Sequence, residues 1–137
     1  MPSSKPLPQD ARQLAFAVLQ RVRRGAFADV ALSREFAKAA VSGRDRALAT
    51  ELIYGSLRRQ RTLDTLMTQL GKKTAQQQPP DLRTILHLGL YQLRYLDQIP
   101  ASAAVDTTVD LAKRVGRSRL APVVNGILRQ YGRLAAQ

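Results

Sequence analysis

An all-α fold of about seven helices in two subbundles is predicted, on three observations. Apolar residues recur at three- and four-residue spacing through most of the chain, and no stretch alternates with the period of two that a half-buried strand needs. Glycine, proline and capping residues then cut the pattern into segments of helical length. With 137 residues, 45% of them hydrophobic, the chain can bury a core without disulfide or metal staples. Residues 1–9, with Pro2, Pro6 and Pro8, are expected to be a flexible leader. Residues 10–137 are expected to form a single domain whose subbundles run over about 10–70 and 81–134, on either side of the polar linker GKKTAQQQPP.

Asp10 is placed to cap the first helix, with Gln13 at the capping-box position and Gly25 as its stop. Ala11, Leu14, Ala15, Val18, Leu19 and Val22 make one apolar arc on it. Phe16 falls outside that arc beside Arg12 and Arg23, while Arg21 and Arg24 occupy the opposite flank. A second helix over about 28–40 is expected to turn Leu32, Phe36 and Ala39 or Ala40 inward. The third, entered through the capping-box-like Ser42-Gly-Arg-Asp45, carries Leu48, Ala49, Leu52, Ile53, Ser56 and Leu57 over half its circumference. So wide an arc predicts that the stretch Arg44 to Asp64 is the helix around which the others are arranged.

Leu63, Leu66, Met67 and Leu70 predict a short fourth helix ended by Gly71. Asp81 is expected to open a fifth, with a stripe running from Leu82 to Leu96 and with Gly89 in the stripe marking close helix packing. Ser102 is expected to cap a sixth helix that ends at Gly116, and Ser118 to start a seventh with Pro122 in its first turn, where a missing amide hydrogen costs little.

The chemistry is narrowed by what the sequence lacks. It has no cysteine, so thiolate zinc sites and cysteine nucleophiles are excluded, and its single histidine, His87, has no partner at metal-ligand or triad spacing. No metal site and no catalytic residue is predicted, and without a Walker-type or Gly-x-Gly-x-x-Gly loop nucleotide cofactors have no expected place. No apolar run approaches the length of a membrane span, and the expected location is cytoplasmic. Charge points the other way, toward a polyanion: 22 Lys+Arg against 10 Asp+Glu give +12 and a pI near 11.2. Arginine dominates the cations, which suits forked contacts to phosphate and stacking on bases. On their own, the residues describe a binding module and not an enzyme.

Three stretches carry a resemblance: Tyr54-Gly-x-Leu57-Arg58 leading to Leu63-Asp64; Gly89-Leu90-Tyr91-Gln92-Leu93 continuing through Tyr95 to Ile99-Pro100; and Val124-Asn125-Gly126-Ile127-Leu128-Arg129. Their order and spacing, covering nearly everything from Asp10 to Tyr131, resemble the NusB-like RNA-binding fold. Within it the wording is closest to the N-terminal domain of the Sun/Fmu (RsmB) ribosomal RNA cytosine-5 methyltransferases. The second choice is the transcription antitermination factors of the NusB kind, which bind RNA and a ribosomal protein. The resemblance implies thiolate attack on cytosine and S-adenosylmethionine as cofactor in a downstream methyltransferase domain. This cysteine-free chain is expected to be the RNA-binding accessory part, cut before the catalytic one, not an enzyme by itself and without a cofactor of its own. The RNA partner is expected to be ribosomal.

The resemblance implies RNA contact through the first helix, and the expected RNA-binding set is Arg12, Phe16, Arg21, Arg23 and Arg24 with Tyr54, Arg58 and Arg61. An aromatic ring among guanidinium groups is a common grip on single-stranded bases. The competing reading has Phe16 covered by a neighbouring helix and Arg58 paired with Asp64 or Glu51. RNA would then be left to Lys72, Lys73, Lys113, Arg114, Arg117 and Arg119. Asn125 is expected to hold a buried hydrogen bond, and Tyr91 and Tyr95, one turn apart, to serve packing.

Overall fold

The structure, a computed structural model, describes residues 10–137, so the predicted leader lies outside the described residues. Among these there are seven α-helices and no strand: α1 (Ala11–Arg23), α2 (Ala28–Lys38), α3 (Gly43–Arg58), α4 (Gln60–Leu70), α5 (Pro80–Tyr95), α6 (Ala101–Arg114) and α7 (Ala121–Ala135). Short 3-10 turns occupy Ala75–Gln77 and Ser118–Leu120. The helices fall into two compact units that meet between Tyr54 and Gly55, inside α3. This differs from the predicted division at residues 71–80. The linker cannot divide the molecule because it is folded onto α4: Thr74 and Gln77 close a capping box around the 3-10 turn, and the Ala75 N–H donates to Thr68 Oγ1 at 3.1 Å.

In the first unit α1 packs on α2. The Gln13 N–H donates to Asp10 Oδ1 at 2.8 Å, the predicted N-cap, and the chain leaves α1 through Gly25 at φ +109°, a left-handed conformation that glycine adopts without strain. The predicted inward face of α2 is turned by one position. Ala31, Glu35 and Ala39 are buried, whereas Leu32 and Phe36 are only half-buried. The cause is a charge: Glu35 is drawn into the interior by an ion pair with Arg21, reinforced by Lys38 at 3.6 Å. Phe36 is instead covered by the Arg46 guanidinium, 5.1 Å above its ring.

The second unit is built around α5, while α3, which carries most of the stretch Arg44 to Asp64, buries Ala49, Leu52, Ile53 and Ser56 of its predicted arc. Leu82, Ile85, Leu86, Leu88, Leu90 and Tyr91 are buried on all sides of α5, because α4, α6 and α7 each pack on it. Gly89 is the closest point of that packing: a Cβ there would stand 2.7 Å from Leu128 Cδ1 and 3.0 Å from Thr108 Cγ2. Two of the polar groups left inside are satisfied locally, with Gln92 Nε2 donating to the Leu88 carbonyl at 3.0 Å and Thr108 Oγ1 to that of Ala104 at 2.7 Å.

Three helix starts differ from expectation. Pro79 and Pro100 are the N-cap residues of α5 and α6, where Asp81 and Ser102 were expected, and Ser118 begins a 3-10 turn before α7. The Asp81 carboxylate accepts from Arg117 Nε at 2.7 Å and serves as an ion-pair partner.

Candidate nucleic-acid interface

An open groove of about 990 Å³ runs along α4 in the second unit, lined by Leu57, Arg58, Gln60, Arg61, Asp64, Thr65, Thr68, Gln69, Thr74 and Gln76. Helical spacing accounts for it. Leu63 and Met67 point into the core, so Arg61, Thr65 and Gln69, at four-residue steps, are left on the opposite face. The 3-10 turn supplies the far wall, since its capping box fixes Thr74 beside Gln76. Two exposed guanidinium groups thus stand beside a run of hydroxyl and amide side chains, which offer both donors and acceptors. Such a lining can hold phosphates and meet base edges.

One wall of the groove carries Asp64, the centre of a charge cluster. Asp64 accepts from Arg83 Nε at 2.9 Å and from a second guanidinium nitrogen at 2.5 Å, and His87 Nε2 lies 2.6 Å from Asp64 Oδ1. Burial pushes the Asp64 carboxyl up, but the hydrogen bonds from Arg83 and His87 outweigh it and leave the group below its ordinary value. Burial lowers His87, against the pull of Asp64, so the imidazole is held neutral with its proton on the nitrogen that faces the carboxylate. No partner for His87 stands near it in the sequence, and both partners of Asp64 come from α5. The alternative of an Arg58–Asp64 pair is thereby excluded, and Arg58 stays exposed on the groove.

The expected RNA-binding residues divide by exposure. Phe16 is 7% exposed and belongs to the core, so its ring presents no open face to a base, contrary to the stacking expectation. It lies off the main arc, but a buried helix needs a wider apolar sector than one stripe. Arg12 is half-buried, where desolvation lowers its pKa against the opposing pull of Asp10 and Asp45. Arg21 is tied to Glu35. Arg23 and Arg24 are exposed at the C-terminal end of α1, Tyr54 is 37% exposed, and Arg58 and Arg61 are exposed on the groove.

Sequence reasoning missed Gln60, Thr65, Thr68, Gln69, Thr74 and Gln76 as groove residues. The available signal is the polar face of α4, whose uncharged side chains leave no mark in the charge pattern. Asn125 also differs from expectation: its Oδ1 accepts from Arg129 Nε at 2.9 Å, a pair one helical turn apart at the surface. Among the described residues no group of three or more His, Cys, Asp or Glu could hold a metal ion, and no helix is long and apolar enough to cross a membrane.

Comparison with known proteins places these features. The chain is 58% identical over 128 residues to the probable ribosomal RNA small subunit methyltransferase B of Synechocystis sp., covering 93% of this chain and 29% of that protein. It therefore spans less than a third of the relative's length. Among solved structures, a chain in the crystal structure of a plectonemic RNA supercoil superposes with a TM-score of 0.84 at 22% identity, covering 93% of this chain and 94% of that one. A chain from antitermination factors NusB and NusE in complex with dsRNA superposes at 0.77 and 23% identity, covering 88% and 91%. At such identities the likeness is one of fold. The NusB family model matches residues 9–133, from just before the N-cap of α1 into the last turn of α7, and the chain belongs to the NusB family.

Proposed function

We propose that this chain is the RNA-binding, non-catalytic domain of a ribosomal RNA small subunit cytosine-5 methyltransferase. The observation that carries the reading is the 58% identity, across 93% of the chain, to a part of a probable ribosomal RNA small subunit methyltransferase B. The charge of +12 and the exposed arginines of α1 and of the α4 groove support RNA as the ligand. Arg23 and Arg24 in the first unit, and Arg58 and Arg61 in the second, are the residues we assign to phosphate contact. The cytosine nucleophile and the S-adenosylmethionine site are assigned to the part of the enzyme outside this chain, which has no cysteine.

A second reading, an antitermination factor with RNA and a ribosomal protein as partners, is supported by the likeness of fold to the chain solved with NusB, NusE and dsRNA. The gene's reading frame separates the two: continuation into a methyltransferase domain supports the first, a stop after Gln137 the second.

The common element, RNA binding, is tested by affinity against salt. Neutralising about five phosphates of a single strand gives a log–log slope near −3.5, at roughly −0.7 per contact. A flat response overturns it. Calorimetric titration with S-adenosylmethionine is expected to give no heat of binding, and stoichiometric binding would overturn the non-catalytic assignment.

A further inference from the structure

A second cationic feature of the same unit lies outside the groove. It begins with packing: α5 can bring Tyr91 against α3 only because position 55 is glycine. Four residues on in each case the rung repeats with different residues, with Arg59 at the junction of α3 and α4. Tyr95 follows Tyr91, their ring centroids 5.0 Å apart, and Arg59 follows Gly55, its Cζ 5.0 Å from the Tyr95 centroid. Arg94 approaches the same ring with its Cζ 5.6 Å from the centroid. Its Nε donates to the Tyr95 hydroxyl at 3.3 Å and another guanidinium nitrogen to the Tyr131 hydroxyl at 3.4 Å.

Both arginines are exposed, and neither has a carboxylate partner among the described residues. The contrast within the unit is direct, since Arg83, Arg114 and Arg117 each hold an aspartate within 2.7 Å. A long flexible side chain normally loses its rotamer freedom when it takes a ligand. Here the Tyr95 ring holds Arg59, and the ring with two phenols holds Arg94, which leaves further N–H donors and two positive charges open to solvent. An anion with several acceptor oxygens fits them, and a phosphodiester, met by forked N–H pairs, fits best.

We infer that Arg59 and Arg94, held on Tyr95, form a clamp for the phosphodiester backbone of single-stranded RNA, separate from the α4 groove. The inference rests on the RNA-binding reading above, and the test tells the two apart. Affinity of the whole chain for a labelled oligouridylate is measured against salt for wild type, for Arg59→Gln with Arg94→Gln, and for Arg58→Gln with Arg61→Gln. The first pair is expected to weaken binding at low salt by at least about fivefold and to flatten the slope by about 1.4, two contacts at roughly 0.7 each, with unchanged helicity.

No binding by wild type overturns the RNA reading and the clamp with it. Loss confined to the Arg58/Arg61 pair overturns the clamp alone. A lowered melting temperature with an unchanged slope in the Arg59/Arg94 pair makes the cluster a brace, and also overturns it. Tyr95→Leu is expected to weaken binding and Tyr95→Phe, which keeps the ring, to retain most of it; full binding by Tyr95→Leu contradicts preorganisation. Inorganic pyrophosphate binding that disappears in the Arg59/Arg94 pair, with the RNA slope untouched, would assign the clamp to free phosphate and overturn the RNA assignment.

Discussion

Tyr91 fills the space that a side chain at Gly55 would need: a Cβ on Gly55 would stand 2.1 Å from Tyr91 Cζ and 2.2 Å from its hydroxyl oxygen. The ring is 3% exposed and flanked by buried neighbours on α5, so it has little room to yield. Gly55→Ala therefore overpacks the second unit. An alanine in a helix interior would by itself be favourable by about 0.5–1 kcal/mol, and the clash reverses that sign, for a net loss of about 1–3 kcal/mol. Urea unfolding checks it. Adding Tyr91→Leu should recover part of the loss, giving a coupling energy above about 0.5 kcal/mol in a double-mutant cycle. Gly55→Ala as stable as wild type would contradict the packing.

The Asp64 cluster predicts a stability that falls in two steps on acidification. Burial holds the folded His87 below its ordinary pKa, whereas the unfolded chain titrates near 6.5. As pH drops through about 6.5 the unfolded chain takes up a proton that the folded chain refuses, and stability declines until the folded pKa is passed. Asp64 is lowered in the folded state, so its contribution is intact above the unfolded value of about 3.9 and is lost below it, through the folded pKa. Unfolding free energies at neutral pH and near pH 5 should differ in wild type and differ less in His87→Gln. Asp64→Ala should cost about 1–3 kcal/mol at neutral pH, since it leaves Arg83 and His87 without their acceptor. A wild type with equal stability at both pH values would refute the account of His87.

What could be read from the sequence, and what could not, follows the range of the interactions. Helix stops at Gly25 and Gly116 depend on adjacent residues, and both adopt the left-handed conformation expected of them. The Asp10 cap and the Ser42 Oγ acceptor for the Asp45 N–H are equally local. The buried charges are different in kind. Glu35 meets Arg21 across 14 residues, and Asp64 meets Arg83 and His87 across 19 and 23. No spacing rule reaches that far, so α2 was predicted one position out of phase and His87 without a partner. The burial of α5 on all sides is hard to read from the sequence for a related cause. Arc width measures how much of a helix is apolar, whereas α5 also buries Thr84, His87 and Gln92, polar residues whose hydrogen bonds make them suitable for a core.

The arginines at the end of α1 give the last prediction, because they look alike in sequence and differ in structure. Arg21 is the partner of a buried carboxylate, so Arg21→Gln leaves Glu35 with only Lys38, 3.6 Å away and half-exposed, and should destabilise the first unit by about 1–3 kcal/mol. Arg24 is exposed just past α1, and Arg24→Gln should leave stability within about 0.5 kcal/mol. If RNA runs over this end, the order reverses for binding: Arg24→Gln should flatten the salt slope by roughly 0.7, the value of one single-strand phosphate contact. Arg21→Gln, measured well below its melting temperature, should change the slope less. Thermal unfolding and affinity against salt on the same two variants decide the matter. Equal slopes with unequal stabilities would remove the end of α1 from the RNA path, leaving the second unit to carry the contacts.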